Sequence, residues 1–401
     1  MKRYISKFVV LSFIFCIIFE NVLAYEEEFE EVYEDEIVLE TVTVQTGEPK
    51  INSNIALVFD RKYKKILFEK RINEKVPNAS TTKILTAIVA YENSNMDDIV
   101  IVSRKAAAVG GSRVGLHSGD KISMDNLMKG LLLSSGNDAA IAIAEHVGGD
   151  FLNFCQMMNE RARKLGAENT NFVSPHGLDS DEHYTTASDL LIFSEYLLNI
   201  EYLKNIVNMR NSQIFINGNV KNIRTTNEIL GLYPEANGIK TGFTNKAGRC
   251  LITSIEKNDR PIIIIVLGAN TKKERTLDTI SLINYAYNEF EEVDLFKDMN
   301  KTFEIKVDKA KVDYYQFEIL GQKMHLMKKE DLGEIRYDYK VKKNFESPLP
   351  KGTILGEIDI YINKQKEKTV KIFSDRPIER KGVKEYFEEL VKEKLQDIEI
   401  R

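Results

Sequence analysis

Ser80 and Lys83 stand three residues apart in Pro77-Asn78-Ala79-Ser80-Thr81-Thr82-Lys83, directly ahead of the apolar stretch Ile84-Leu85-Thr86-Ala87-Ile88-Val89-Ala90. Residues three apart on a helix share a face, so an ammonium at Lys83 reaches a hydroxyl at Ser80. A lysine partly desolvated by an apolar helix can lose its charge and accept the serine proton. The N–H groups of a helix start favour negative charge developing beside Ser80. Together these make an activated nucleophile that needs no histidine. Pro77 and Asn78 supply a turn and a cap, which places Ser80 at a helix N-terminus. A helix cap beside a surface lysine would have the same spacing, so the pair needs support from elsewhere in the chain. Ser-x-x-Lys recurs at Ser118–Lys121, in a Gly-Asp turn, and at Ser254–Lys257, at a strand end where side chains three apart point to opposite faces. Only the copy at Ser80 opens a buried helix.

The elements that must position this pair follow from periodicity. Ile55 to Phe59, a turn around Arg61-Lys62, and Ile66 to Phe68 predict a hairpin. Met124 to Leu133 predicts a helix that breaks at Ser134-Ser135-Gly136-Asn137, where a second helix starts with Asp138. Helical period continues through Leu152 to Leu165 and through Ala187 to Leu198. Ile262 to Leu267 is wholly apolar and β-branched-rich, as in a strand covered on both faces. Helices flanking such a sheet give an α/β (α+β) body over residues 51–291. Beyond it, Phe303 to Val307 and Ile358 to Ile362 alternate apolar with polar among Pro348, Pro350, Gly352 and Gly356, predicting a small all-β, sandwich-like domain over residues 292–378. Residues 379–401 form an amphipathic helix, with Val383, Phe387, Leu390, Val391, Leu395 and Ile398 along one side and a mixed-charge polar face. Such a stripe suits a membrane surface or a protein surface.

Composition narrows the setting. The net charge of −5 conceals −9 over residues 25–40 and +2 over residues 1–24, so the remainder carries only +2. A near-neutral body has no electrostatic footprint for nucleic acid. Lys2, Arg3 and Lys7, the apolar run Phe8 to Phe19, and Val22-Leu23-Ala24 read as an export signal over residues 1–24. Residues 25–50 read as an acidic flexible leader. Beyond the signal only Cys155 and Cys250 remain, too far apart for a disulfide framework and read as buried thiols. The histidines are scattered, and no metal or cofactor site is expected.

Two further motifs complete a set. Ser135-Gly136-Asn137 sits in the helix-breaking loop, and Lys240-Thr241-Gly242 begins a strand. Ser-x-x-Lys, Ser-x-Asn and Lys-Thr-Gly, in that order, resemble the set used by penicillin-recognising serine enzymes. Within that group the chain resembles the low-molecular-mass penicillin-binding proteins, the serine-type D-alanyl-D-alanine carboxypeptidases. The likeness covers residues 51–290 in detail. It includes Asn171-Phe172, Pro175-His176-Gly177-Leu178-Asp179, His183-Tyr184-Thr185-Thr186 and Lys246-Ala247-Gly248.

The resemblance implies a transpeptidase-type domain with a central antiparallel sheet flanked by helices. It implies Ser80 as the acylated nucleophile, Lys83 as its proton acceptor and Ser135 as a second serine relaying protons. Asn137 would hold the peptide backbone, Lys240 would set a fixed positive charge by the substrate, and Thr241 would meet a terminal carboxylate. Gly242 would let substrate lie against the strand edge. The backbone N–H groups of Ser80 and Phe243 would form an oxyanion hole, and Arg275 matches an arginine near the substrate carboxylate, although a surface arginine in a charged loop also fits. The implied substrate is a peptidoglycan stem peptide ending in D-Ala-D-Ala, with β-lactams as covalent inhibitors. The implied location is the cell envelope, on the outer face of the cytoplasmic membrane. Two alternatives stand beside this: a β-lactamase-type hydrolase, for which Glu168 offers a deacylating base, and a non-catalytic cell-wall binding scaffold.

Overall fold

The computed structural model describes residues 47–297, 302–312, 314–318, 324–342 and 344–399. The expected export signal and nearly all of the acidic leader lie outside these residues. In chain order, β1 (Ile55–Asp60) and β2 (Lys65–Lys70) form the predicted hairpin, and a 3-10 turn at Ala79–Thr82 runs into α1 (Lys83–Asn93). A two-stranded ribbon of β3 (Ile99–Ile101) and β4 (Lys121–Ser123) encloses the short α2 (Arg104–Ala108). Four helices follow: α3 (Met124–Leu132), α4 (Asn137–Gly148), α5 (Phe151–Leu165) and α6 (Ala187–Leu198). Their ends fall where the sequence stops them: Ser123, Asp150 and Thr186 accept N-terminal N–H groups, and Gly166 turns left-handed after α5.

After α7 (Glu201–Val207) comes a hairpin that the periodicity argument did not single out, β5 (Asn211–Ile216) and β6 (Asn219–Arg224). Its signal is present in the sequence. Asn217 and Gly218 both take positive φ, the conformation a two-residue turn demands. The single helical turn α8 (Ile229–Leu232) then leads into β7 (Ala236–Thr244), β8 (Gly248–Lys257) and β9 (Arg260–Ala269), and α9 (Lys272–Asn288) lies against β8 and β9.

These strands form one antiparallel sheet in the order β2-β1-β9-β8-β7. β9 is central, and Ile262 to Leu267 are buried on both faces, as their composition predicts. Ile263, Ile265 and Leu267 join the main core with Ile84, Leu85 and Ile88 of α1 and Leu127 and Leu131 of α3. β7 lies at the sheet edge, so one of its edges is left to face the turn that carries Ser80.

The rest is a small additional sheet domain. Strand β10 (Phe290–Asp294) pairs with β13 (Met324–Lys328). β11 (Thr302–Asp308) lies between β12 (Tyr314–Glu318) and β15 (Asn344–Glu346). β16 (Ile354–Ile362) lies between β14 (Ile335–Val341) and β17 (Gln365–Phe373). Ile305, Val307, Leu355, Ile358, Ile360 and Ile372 build its separate core. Two expected edges shift. β10 runs across the position expected as a boundary at 291/292, because its ladder to β13 holds it to the later sheets. The terminal helix α10 (Val383–Glu399) starts later than residue 379, because Ile378 is bridged to Leu349 and Arg380 to Ala310. Among the described residues no helix is long and apolar enough to cross a membrane.

Candidate active site

Ser80 sits in a tightly laced turn. Ala79 takes positive φ, unusual for a residue with a Cβ. Thr81 Oγ1 donates to Asn78 O at 2.6 Å and Thr82 Oγ1 to Ala79 O at 2.8 Å. Asn78 does not cap by accepting N–H groups, as its position suggests. Its Nδ2 donates to both threonine hydroxyls, at 3.1 and 3.0 Å. Thr82 has given its only proton to Ala79 O, so His183 Nε2, 2.8 Å away, must be the donor there. His183 Nδ1 then accepts from Val173 N at 3.2 Å. Burial, and to a lesser degree the Lys83 charge, hold His183 down to about 4, so the imidazole is neutral. Gly177, with φ +88°, presses on the same turn; a Cβ there would lie 1.9 Å from Ala79 O. Ser80 itself remains partly exposed.

Lys83 is 0% exposed. Its Nζ lies 2.7 Å from Ser80 Oγ, 2.7 Å from Asn137 Oδ1 and 2.9 Å from His176 O. Burial first, and the Lys240 charge second, push its pKa well below the ordinary lysine value, against the opposing pull of Asp138. The amine form, which can take a proton from Ser80, is thereby made accessible.

A second serine–lysine pair faces the first. Ser135, buried and at φ 58°, has its Oγ 2.9 Å from Lys240 Nζ, which also donates to Thr241 O at 2.9 Å. Asn137 touches the first pair: Oδ1 accepts from Lys83, and Nδ2 donates to Gly110 O at 2.7 Å, with one N–H of the amide left over. Burial, then the nearby Arg275 cation, lower the Lys240 ammonium to about 7. Thr241 Oγ1 lies 2.6 Å from Thr226 Oγ1, and a Cβ at Gly242 would come within 3.0 Å of Ser80 N. Only a glycine lets the edge strand approach the nucleophile this closely. Phe243 projects its half-exposed ring over the Arg249 guanidinium, 3.7 Å from the ring centroid.

Arg275 is not a surface residue in a charged loop. It is buried in the first turn of α9, with Nη2 2.6 Å from Glu228 Oε1. Glu168 lies exposed after α5, whereas Lys83, Ser135 and Lys240 are buried. Cys155 and Cys250 are free and buried; burial pushes them up to about 12 and about 11, which makes both unreactive.

Sequence reasoning gave no role to two residues. Asp138 accepts from Val114, Gly115 and Leu116 N at 2.8, 2.8 and 3.0 Å and from Ala139 N at 2.9 Å, and so pins residues 114–116 against the start of α4, just after Ser135. A lone acid opening an otherwise apolar helix start was the available signal. Thr226 had no local signal beyond its Thr/Asn neighbours.

Comparison with known proteins agrees with this geometry. The family profile described as D-alanyl-D-alanine carboxypeptidase matches residues 42–271, more than half of the chain. D-alanyl-D-alanine carboxypeptidase DacF of Bacillus subtilis is 32% identical over 321 residues, covering 78% of this chain and 82% of that protein. DacC of Escherichia coli is 30% identical over 333 residues, covering 79% and 81%. Among solved structures, penicillin binding protein 5 from Haemophilus influenzae superposes with a TM-score of 0.67 at 23% identity, covering 84% of this chain and 100% of that one; this likeness speaks for the fold.

Proposed function

From the premise that this chain belongs to the D-alanyl-D-alanine carboxypeptidase family, as a serine-type low-molecular-mass penicillin-binding protein, we propose that Ser80 is the residue acylated. Ser80 Oγ attacks the carbonyl carbon between the two D-alanines of a peptidoglycan stem peptide while Lys83, as the amine, takes its proton. The oxyanion is met by the N–H groups of Ser80 and Phe243. Lys240 and Ser135 relay a proton to the leaving amine, the amide C–N bond breaks, and D-alanine departs. Asn137 orients the peptide, and Thr241 and Arg275 meet its terminal carboxylate. Water then hydrolyses the ester on Ser80. A β-lactam acylates the same oxygen and leaves slowly.

One observation carries this reading: a lysine shut off from solvent with its Nζ 2.7 Å from the Oγ of a partly exposed serine. The chain is exported by residues 1–24 and works in the envelope, with α10 as a peripheral contact to the membrane.

Mass spectrometry of the protein mixed with labelled penicillin tests it. A long-lived adduct on Ser80, absent in Ser80→Ala, with D-alanine released from a pentapeptide, is expected. An adduct that vanishes within seconds would indicate a β-lactamase with Glu168 as its base. A folded protein that forms no adduct would leave a binding scaffold.

A further inference from the structure

The three residues before α8 each grip the carboxylate end of the site. Thr226 meets Thr241, Asn227 Nδ2 donates to Gly238 O at 2.9 Å, and Glu228 Oε1 accepts from both Arg275 Nη2 and Thr276 Oγ1 at 2.6 Å. The Glu228 and Arg275 side chains are only 16% and 5% exposed.

The ion pair is one-sided. A guanidinium and a carboxylate that serve only to neutralise each other meet as a fork, through two parallel hydrogen bonds. Here one oxygen takes both donors, while Glu228 Oε2 and Arg275 Nε are buried without a hydrogen-bond partner among the described residues. Arg275 Nη1 reaches only Cys250 O, at 3.5 Å. An open buried donor and an open buried acceptor are both costly, so the arrangement gives up stability that a second parallel bond would supply. Cys250 is the register partner of Gly242, which sets Arg275 one strand behind Lys240-Thr241-Gly242.

We propose that Glu228 is a positioning residue: by gripping Arg275 through one oxygen, it aims the remaining guanidinium donors at the terminal carboxylate and sets the preference for a free C-terminus over a neutral one. This rests on the role given to Arg275 above. Thr276 fixes the Glu228 rotamer by sharing the same oxygen. Glu228 also offsets the Arg275 charge that faces Lys240 from α9, leaving Lys83 on α1 as the other cation nearby, itself balanced by Asp138.

The test compares an acyl-D-Ala-D-Ala substrate with its C-terminal amide in the full-length protein and in Glu228→Ala, Glu228→Gln and Arg275→Ala. Glu228→Ala should lose at least about tenfold of the carboxylate-over-amide ratio in kcat/KM, since one misplaced charge-assisted bond is of that size. Glu228→Gln keeps an oxygen for both donors but no charge. Its ratio should hold while the alkaline limb of kcat/KM moves to lower pH, because an uncompensated Arg275 makes Lys240 lose its proton earlier. A merely structural role would depress both substrates equally and leave the limb in place. An unchanged ratio in Glu228→Ala beside a reduced one in Arg275→Ala overturns the proposal, as does an unmoved limb in Glu228→Gln. An unchanged ratio in Arg275→Ala overturns the role of Arg275 instead.

Discussion

Lys83 combines two properties that rarely coexist: full burial and three acceptors around its nitrogen. As an ammonium it donates to Ser80, Asn137 and His176 O; in the proposed mechanism it is the amine whose lone pair takes the Ser80 proton. Because burial and Lys240 lower its pKa, acylation should persist on the alkaline side and fall as pH drops through the lowered value, where the amine is lost. Lys83→Arg separates charge from basicity, since a guanidinium donates but does not give up a proton in this pH range. Penicillin acylation in that variant should fall by roughly 10² to 10⁴, with the thermal transition little changed and no recovery at high pH. Near-normal acylation would remove Lys83 from the role of base.

At the scale of elements, the site depends on how α1, α4 and β7 are held at fixed separations. Asp138 does this for α4, tying its start to residues 114–116 through three backbone N–H groups and to its own first turn through Ala139 N. Asp138→Asn turns an acceptor-only group into one that presents its own N–H groups to those donors. We expect a loss of about 3 kcal/mol in urea unfolding, together with slower acylation as Ser135 moves. A loss under about 1 kcal/mol would mean that apolar packing, and not the carboxylate, holds this loop. The helices at Met124, Phe151 and Ala187 were legible because their apolar period is clear and Ser123, Asp150 and Thr186 cap them. The β5–β6 hairpin was not, although Asn217-Gly218 marks its turn, because its strands are mostly exposed and polar and show little apolar alternation.

For the whole molecule, the proposed peripheral contact with the membrane rests on α10. Val383 and Phe387 of α10 are 91% and 69% exposed, and Leu390, Val391 and Leu395 continue the stripe. Each such side chain gains about 1.5–3 kcal/mol when fully buried, and a mixed-charge polar face needs no anionic lipid to allow it. Removing residues 382–401 should therefore abolish retention on phospholipid vesicles while hydrolysis of a soluble peptide stays within about twofold, as expected for distant, uncoupled sites. Retention of the shortened protein on vesicles would exclude α10 as the contact.

The sequence by itself singled out the residues proposed here to carry chemistry: two serines, two lysines and an asparagine in an order that few other chemistries use. It also determined the helices over residues 83–93, 124–132, 137–148, 151–165 and 187–198 and the central strand β9, because local period and apolar content are properties of short stretches, whereas α9, whose start reads as a charged loop, was not legible. Only the tertiary structure decided that burial and Arg275 lower Lys240 to about 7, that Asn137 accepts from Lys83, and that Arg275 is a buried, half-satisfied cation gripped by Glu228. Those properties depend on burial and on charges brought together from residues 83 to 275, and no local stretch of sequence records what lies across a fold.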